Sequence, residues 1–142
     1  MAIEGSARHS LTLDGSRASA GKASAWARTL AAQSGLPGEL VGALDLCIIE
    51  LVGNIVMHSY RGEPGEIGLD LELGDDGAVL TITDSGPEFD PLSVPAPPVP
   101  ASLDEAKIGG HGIQLVRSSA DAYLYRRRDG RNVFIVCFGR TA

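Results

Sequence analysis

A chain of 142 residues, 44% hydrophobic and 21% charged, has the make-up of one ordinary globular domain with a substantial core. Its net charge of −6, from 12 basic and 18 acidic side chains, argues against general binding to nucleic acid, which needs clustered Lys and Arg to neutralise phosphates. A small anionic ligand held by backbone dipoles or a metal stays open.

In chain order, SLTL (10–13) alternates like a short strand. Residues 17–33 are rich in Ala, with Trp26 and Leu30 four apart, and predict an amphipathic helix stopped by Gly35 and Pro37. Pro37 then suits the first turn of a second helix, with Glu39 near the positive end of its dipole. This helix is expected to run to about Tyr60. RGEPGE (61–66) has turn composition. IGLDLEL (67–73) has strict period-two patterning, GDDG (74–77) is a hairpin signal, and AVLTIT (78–83) is the returning strand.

Residues 84–112 read as a long loop, with four of the eight prolines between 95 and 100. SLDE (102–105) matches a capping box and predicts a short helical turn. IGGHG (108–112) precedes IQLVRSSA, a helix. AYLYRR and NVFIVCF flank Asp129-Gly130, a strong hairpin signal. The order of elements predicts an α+β fold: a two-layer sandwich, with a mainly antiparallel sheet of about five strands covered on one face by about three helices.

Cys47 and Cys137, without CxxC spacing and in apolar runs, read as buried reduced thiols. The start, MAIEGSARHS, lacks the basic-then-apolar layout of a secretory signal, and no run is expected to reach membrane-spanning length, so a cytoplasmic protein with no membrane partner is expected.

Three stretches carry chemistry. In IIELVGNIVMHSY (48–60), Glu50, Asn54 and His58 recur every four residues. Four residues of helix turn about 400°, so the three lie in a stripe about 80° wide on a helix expected to be otherwise buried. A solvated face is usually wider and more charged. The alternative is the wall of a polar site, with Glu50 as a base and Asn54 as a ligand of Mg2+ otherwise held by water and polyphosphate. In TITDSGPEFDP (81–91), Asp84 at a strand end can accept a hydrogen bond from an exocyclic amine, and Gly86 lets a flat ring approach the backbone; an ordinary turn explains DSGP equally. GGHG before a helix offers free N–H groups to an anion, or serves as a hinge. A P-loop, a complete GxGxxG, the HRD and DFG motifs of protein kinases, HExxH and GxSxG are all absent. The three arginines at 126–128 read as decoration of an exposed hairpin end.

Taken in order, these stretches resemble the GHKL (Bergerat-fold) ATPases. ELVGNIVMHSY resembles their N-box, DSGPEFDP the first glycine box, and GGHGIQLVRSSADAYLYRRRDGRN the second glycine box with its following hairpin. The small form is most similar to the bacterial anti-sigma-factor serine kinases, and the resemblance covers about residue 10 to the end. It implies a single histidine-kinase-like ATPase domain over 1–142, structured from about 10 to 140, with an ATP lid over 91–109. It implies ATP or ADP and Mg2+ as cofactors. Glu50 matches the base that deprotonates an acceptor serine, Asn54 the magnesium ligand, and Asp84 the acid that reads the adenine amine. Gly86 matches the glycine beneath the ring, and Gly110 and Gly112 the phosphate-contacting box. His58 and His111 stand where histidine is usual, and Lys107 sits in the lid within reach of a phosphate. The proline-rich lid departs from the family pattern. The partners implied are a STAS-class anti-anti-sigma factor as substrate, a sigma factor held by sequestration, and a second copy in a homodimer. A non-catalytic nucleotide-binding regulator and a detached sensor-kinase domain that phosphorylates histidine are the alternatives.

Overall fold

The computed structural model describes residues 6–60, 63–91 and 112–139. Strand β1 (Ala7–Leu13) begins three residues earlier than the alternation at 10–13 suggests, because ARH continues the pairing with β2. Helix α1 (Ser19–Ser34) ends at Gly35. Helix α2 (Gly38–Asn54) follows Pro37 and passes into a π-helical turn, Ile55–Ser59. Strands β2 (Ile67–Leu73) and β3 (Gly77–Asp84), helix α3 (Gly112–Ser119), and strands β4 (Ala122–Arg128) and β5 (Arg131–Gly139) complete the described elements. The strands form one antiparallel sheet in the order β1-β2-β3-β5-β4.

Local chemistry accounts for the β4–β5 hairpin and for the facing of β2. Between β4 and β5, Asp129 and Gly130 both have positive φ (51° and 74°), the left-handed pair that matches the twist of the flanking strands. In β2 the alternation holds without exception: Ile67, Leu69, Leu71 and Leu73 are all buried. They meet Ala78, Leu80 and Ile82 of β3, Phe134, Val136 and Phe138 of β5, and the inner faces of the helices in one core. On the sheet's other face, Val79 and Cys137 are cross-strand partners in a small second cluster with Ile135. Toward β1 that face turns polar: Ser10 donates to Asp70, Ser6 donates to Glu72, and Arg8 pairs with Glu72 at 3.8 Å.

Three sequence expectations are corrected. The buried edge of α1 is Ser19, Ala23, Ala27 and Ala31, while Trp26 and Leu30 are half-buried at its margin. Alanine lets the α1 and α2 backbones approach closely, and Ser24 donates to Asp45 across the contact. Second, α2 and its π turn are not buried all round their apolar circumference: Ile49 of α2 is 41% and Met57 of the turn 63% exposed. Third, α2 with its π turn makes a 22-residue helix, Gly38–Ser59, long and apolar enough to cross a membrane by length and composition. Isolated charges such as Asp45 interrupt the apolar runs without lowering the average enough to matter. Leu44, Cys47, Ile48, Leu51, Val52 and Val56 of this helix are buried in the core with the sheet, so it packs as the central helix of the layer. The helical turn expected at 102–105 lies outside the described residues.

Candidate functional site

The inward ladder of β3 and β5 changes character along its length. Ala78 faces Phe138, Leu80 faces Val136, Ile82 faces Phe134, and last Asp84 faces Asn132. Beside this polar end runs the junction of α2 and the π turn. Between them lies a pocket lined by Leu51, Asn54, Ile55, Ser59, Ile82, Asp84, Phe89, Pro91, Tyr125, Asn132 and Phe134.

The sheet and helix thus bring Asn54 and Asp84, thirty residues apart, to one pocket. Glu50, one turn earlier, is half-exposed and does not line it. Its carboxylate lies close enough to Cys47 to add to the effect of burial, which pushes that thiol from an ordinary 9.0 up to about 12. His58 is exposed, and its ring stacks on the pocket residue Phe89 with centroids 6.3 Å apart. The π turn separates His58 from the other two: the ladder changes to i→i+5, with Tyr60 N–H donating to the Ile55 carbonyl at 3.0 Å. The α-helical wheel that joins all three residues does not extend past Asn54. Gly112 opens α3; Lys107, Gly110 and His111 lie outside the described residues, as does the 92–109 part of the expected lid.

Asp84 is 5% exposed. Its Oδ1 accepts the Gly86 N–H at 2.9 Å and the Asn132 side-chain amide at 3.0 Å. Gly86 is required by close approach: a Cβ there would lie 2.8 Å from Ser59 Cβ and 3.0 Å from Asp84 Oδ1. Ser59 Oγ is buried and has no hydrogen-bond partner. On the far side of the loop, Tyr60 donates to the Glu66 carbonyl and accepts the Ser85 N–H at 2.9 Å. Burial pushes the Tyr60 phenol above its ordinary value, which keeps the donating proton in place.

Several site residues escape the sequence reading: Ser59, Phe89, Tyr125, Arg127 and above all Asn132. A signal for Asn132 exists. It occupies an inward position of a strand whose next inward residues are Phe134, Val136 and Phe138, so it is a polar residue on an apolar face, as Asn54 is on its helix.

These residues fit an amino-bearing aromatic base. Leu51, Ile55, Ile82, Phe89 and Phe134 supply apolar walls, Asp84 an acceptor, and Ser59 Oγ a buried hydroxyl whose bonding capacity is unspent. Among the described residues no group of three or more His, Cys, Asp or Glu could hold a metal. Asn54 offers a single hard oxygen, which fits only an ion that keeps most of its shell as water and phosphate, the habit of Mg2+.

A family described as the histidine kinase-like ATPase domain matches residues 15–138. The chain is 38% identical over 108 residues to the serine/threonine-protein kinase BtrW of Bordetella bronchiseptica, covering 75% of this chain and 76% of that protein. It is 27% identical over 97 residues to the serine-protein kinase RsbW of Listeria innocua, covering 65% of this chain and 62% of the other. A crystal structure of the RsbU and RsbW domains of a Mycobacterium tuberculosis protein shares the fold, with a TM-score of 0.61 at 16% identity. The match covers 92% of this chain, which spans about a third (32%) of that larger structure. With a family match over nearly its whole length and the five-stranded, helix-covered sheet in place, the chain belongs to the histidine kinase-like ATPase domain family.

Proposed function

We propose that this protein is an ATP-dependent serine kinase and anti-sigma factor of a cytoplasmic partner-switching system. In this reading it phosphorylates a STAS-class anti-anti-sigma factor, sequesters a sigma factor, and works as a homodimer. The observation that carries the nucleotide part is the meeting of Asn54, Asp84, Gly86 and the unpartnered Ser59 around one apolar pocket. The similarity to two named serine kinases supports the choice of serine as acceptor.

When bound, ATP with Mg2+ supplies the transferable phosphoryl group. Asp84 accepts a hydrogen bond from the adenine amine, and Gly86 leaves room for the ring. Asn54 would hold the Mg2+, which would neutralise phosphate charge. The backbone N–H groups of Gly110 and His111, which precede α3 in sequence, and of Gly112, which opens it, would hold phosphate, and Lys107 would add charge. Glu50 takes the proton from the acceptor hydroxyl. Its place outside the pocket and on a half-exposed helix face suits a group that meets a protein substrate arriving from solvent. Most of the rate enhancement comes from positioning and charge neutralisation, with the base contributing roughly 10²–10⁴-fold.

The test is a mixing assay with radiolabelled ATP, Mg2+ and a STAS partner. Glu50→Ala is expected to lower transfer to the partner serine by that factor while nucleotide affinity stays within about twofold. Transfer at the parent rate would remove Glu50 from its role. A second reading draws on the same observation of Glu50: a carboxylate outside the pocket is also what a nucleotide-binding module acting purely by sequestration would show. Nucleotide affinity without any transfer by the parent protein selects that reading. No binding of ATP or ADP by calorimetry removes both.

A further inference from the structure

Asn132 is 4% exposed and uses its whole amide. Its Oδ1 accepts from the Tyr125 hydroxyl at 2.6 Å, the Phe89 N–H at 3.2 Å and Arg127 Nη1 at 3.2 Å. Its Nδ2 donates to Asp84 Oδ1 at 3.0 Å and to the Pro87 carbonyl at 2.8 Å. Four of these five partners have fixed polarity and hold the amide in one orientation, since a flip would set its NH2 donors against the Phe89 N–H and the Arg127 guanidinium. Arg127 Nη1 also donates to the Gly86 carbonyl at 2.8 Å, tying the same hairpin to the glycine beneath the pocket. Tyr125 remains a donor because burial, followed by the nearby Glu88 carboxylate, pushes its phenol above the ordinary value.

The consequence falls on Asp84. Its Oδ1 already receives two donors, one from Gly86 and one from Asn132, which fills its two lone pairs. Among the described residues no group donates to Oδ2, so Oδ2 is the oxygen left to read a ligand. We propose that Asn132 is the positioning residue that sets base selectivity here: locked by Tyr125, Arg127 and Phe89, it holds Asp84 so that an acceptor alone faces the pocket, favouring a purine with an exocyclic amine over a 6-oxo purine. This rests on the nucleotide-binding reading above.

The experiment is calorimetric titration of the full chain with ADP and with inosine diphosphate, in which an oxo group replaces the amine. The parent is expected to prefer ADP by roughly 10–100-fold, the range for a hydrogen bond to a charged group. Asn132→Asp places a second carboxylate against Asp84 and removes the donor that occupies Oδ1. Its preference for ADP is expected to collapse to within about threefold. Tyr125→Phe removes one of the three donors that fix the amide, and is expected to cut the preference two- to fivefold while leaving the fold intact. It carries the test if Asn132→Asp does not fold.

A merely structural role would weaken both nucleotides together at an unchanged ratio, and that result overturns the proposal. A parent that binds both but variants that keep its full preference overturns it as well, leaving the nucleotide reading standing. A parent that binds neither nucleotide overturns both.

Discussion

The two ends of the β3–β5 ladder are built from the same backbone pairing and opposite chemistry. At the Ala78–Phe138 end, stability comes from removing apolar surface from water, which has no direction and tolerates swaps of similar volume. At the Asp84–Asn132 end each polar atom has named partners at set distances, and a change in one donor alters what its neighbours can do. The first end holds the sheet and helices together. The second uses that rigidity to place a carboxylate.

The contrast is sharpened most by Phe138→Ala, which empties a fully buried position at the apolar end. It is expected to cost about 3–5 kcal/mol in denaturant unfolding, while nucleotide affinity of the folded protein stays near the parent value. A loss below about 1 kcal/mol would mean that the apolar end does not carry the fold. Gly86→Ala probes the other end. Its Cβ must push aside Ser59 or Asp84, so a smaller stability loss of about 1–3 kcal/mol is expected, with at least a tenfold fall in ADP affinity. If calorimetry shows unchanged affinity, the glycine is not the floor of a ligand site.

The last effect is silent at neutral pH and appears only in alkali. The native state holds the Cys47 proton to about pH 12, whereas the unfolded chain releases it near 9.0. Stabilisation from this group is therefore complete below pH 9 and is lost as pH rises toward 12. Cys47→Ala should flatten the decline of stability across that window. Parallel pH curves for parent and variant would show that this thiol does not titrate with unfolding.

The strands and their hairpins were legible because period-two patterning and the Asp129-Gly130 pair are local signals. Asp84 and Asn54 were legible as polar residues at the margin of apolar runs. Asn132 was not, although its strand position marks it, because a lone amide after a turn has an ordinary local explanation. The alanine face of α1 was hidden for another reason: close helix packing is set by the partner helix, and Trp26 draws attention to the wrong edge. The π turn has no signature in composition. It is a choice of hydrogen-bond partner made in the packed state, and it is why a wheel drawn through His58 misplaces that residue.

That turn also bears on how this chain is compared with others. A switch from i→i+4 to i→i+5 is geometrically the same as slipping one extra residue into a helix. Ser59 and Tyr60 therefore stand one residue out of step with an unbroken α-helix of the same length. An alignment that runs without a gap from Asn54 to Tyr60 will match Ser59 to the wrong neighbour in any relative whose helix continues as α. Superposing the structures, rather than counting along the sequences, is what brings the residue facing Gly86 into register.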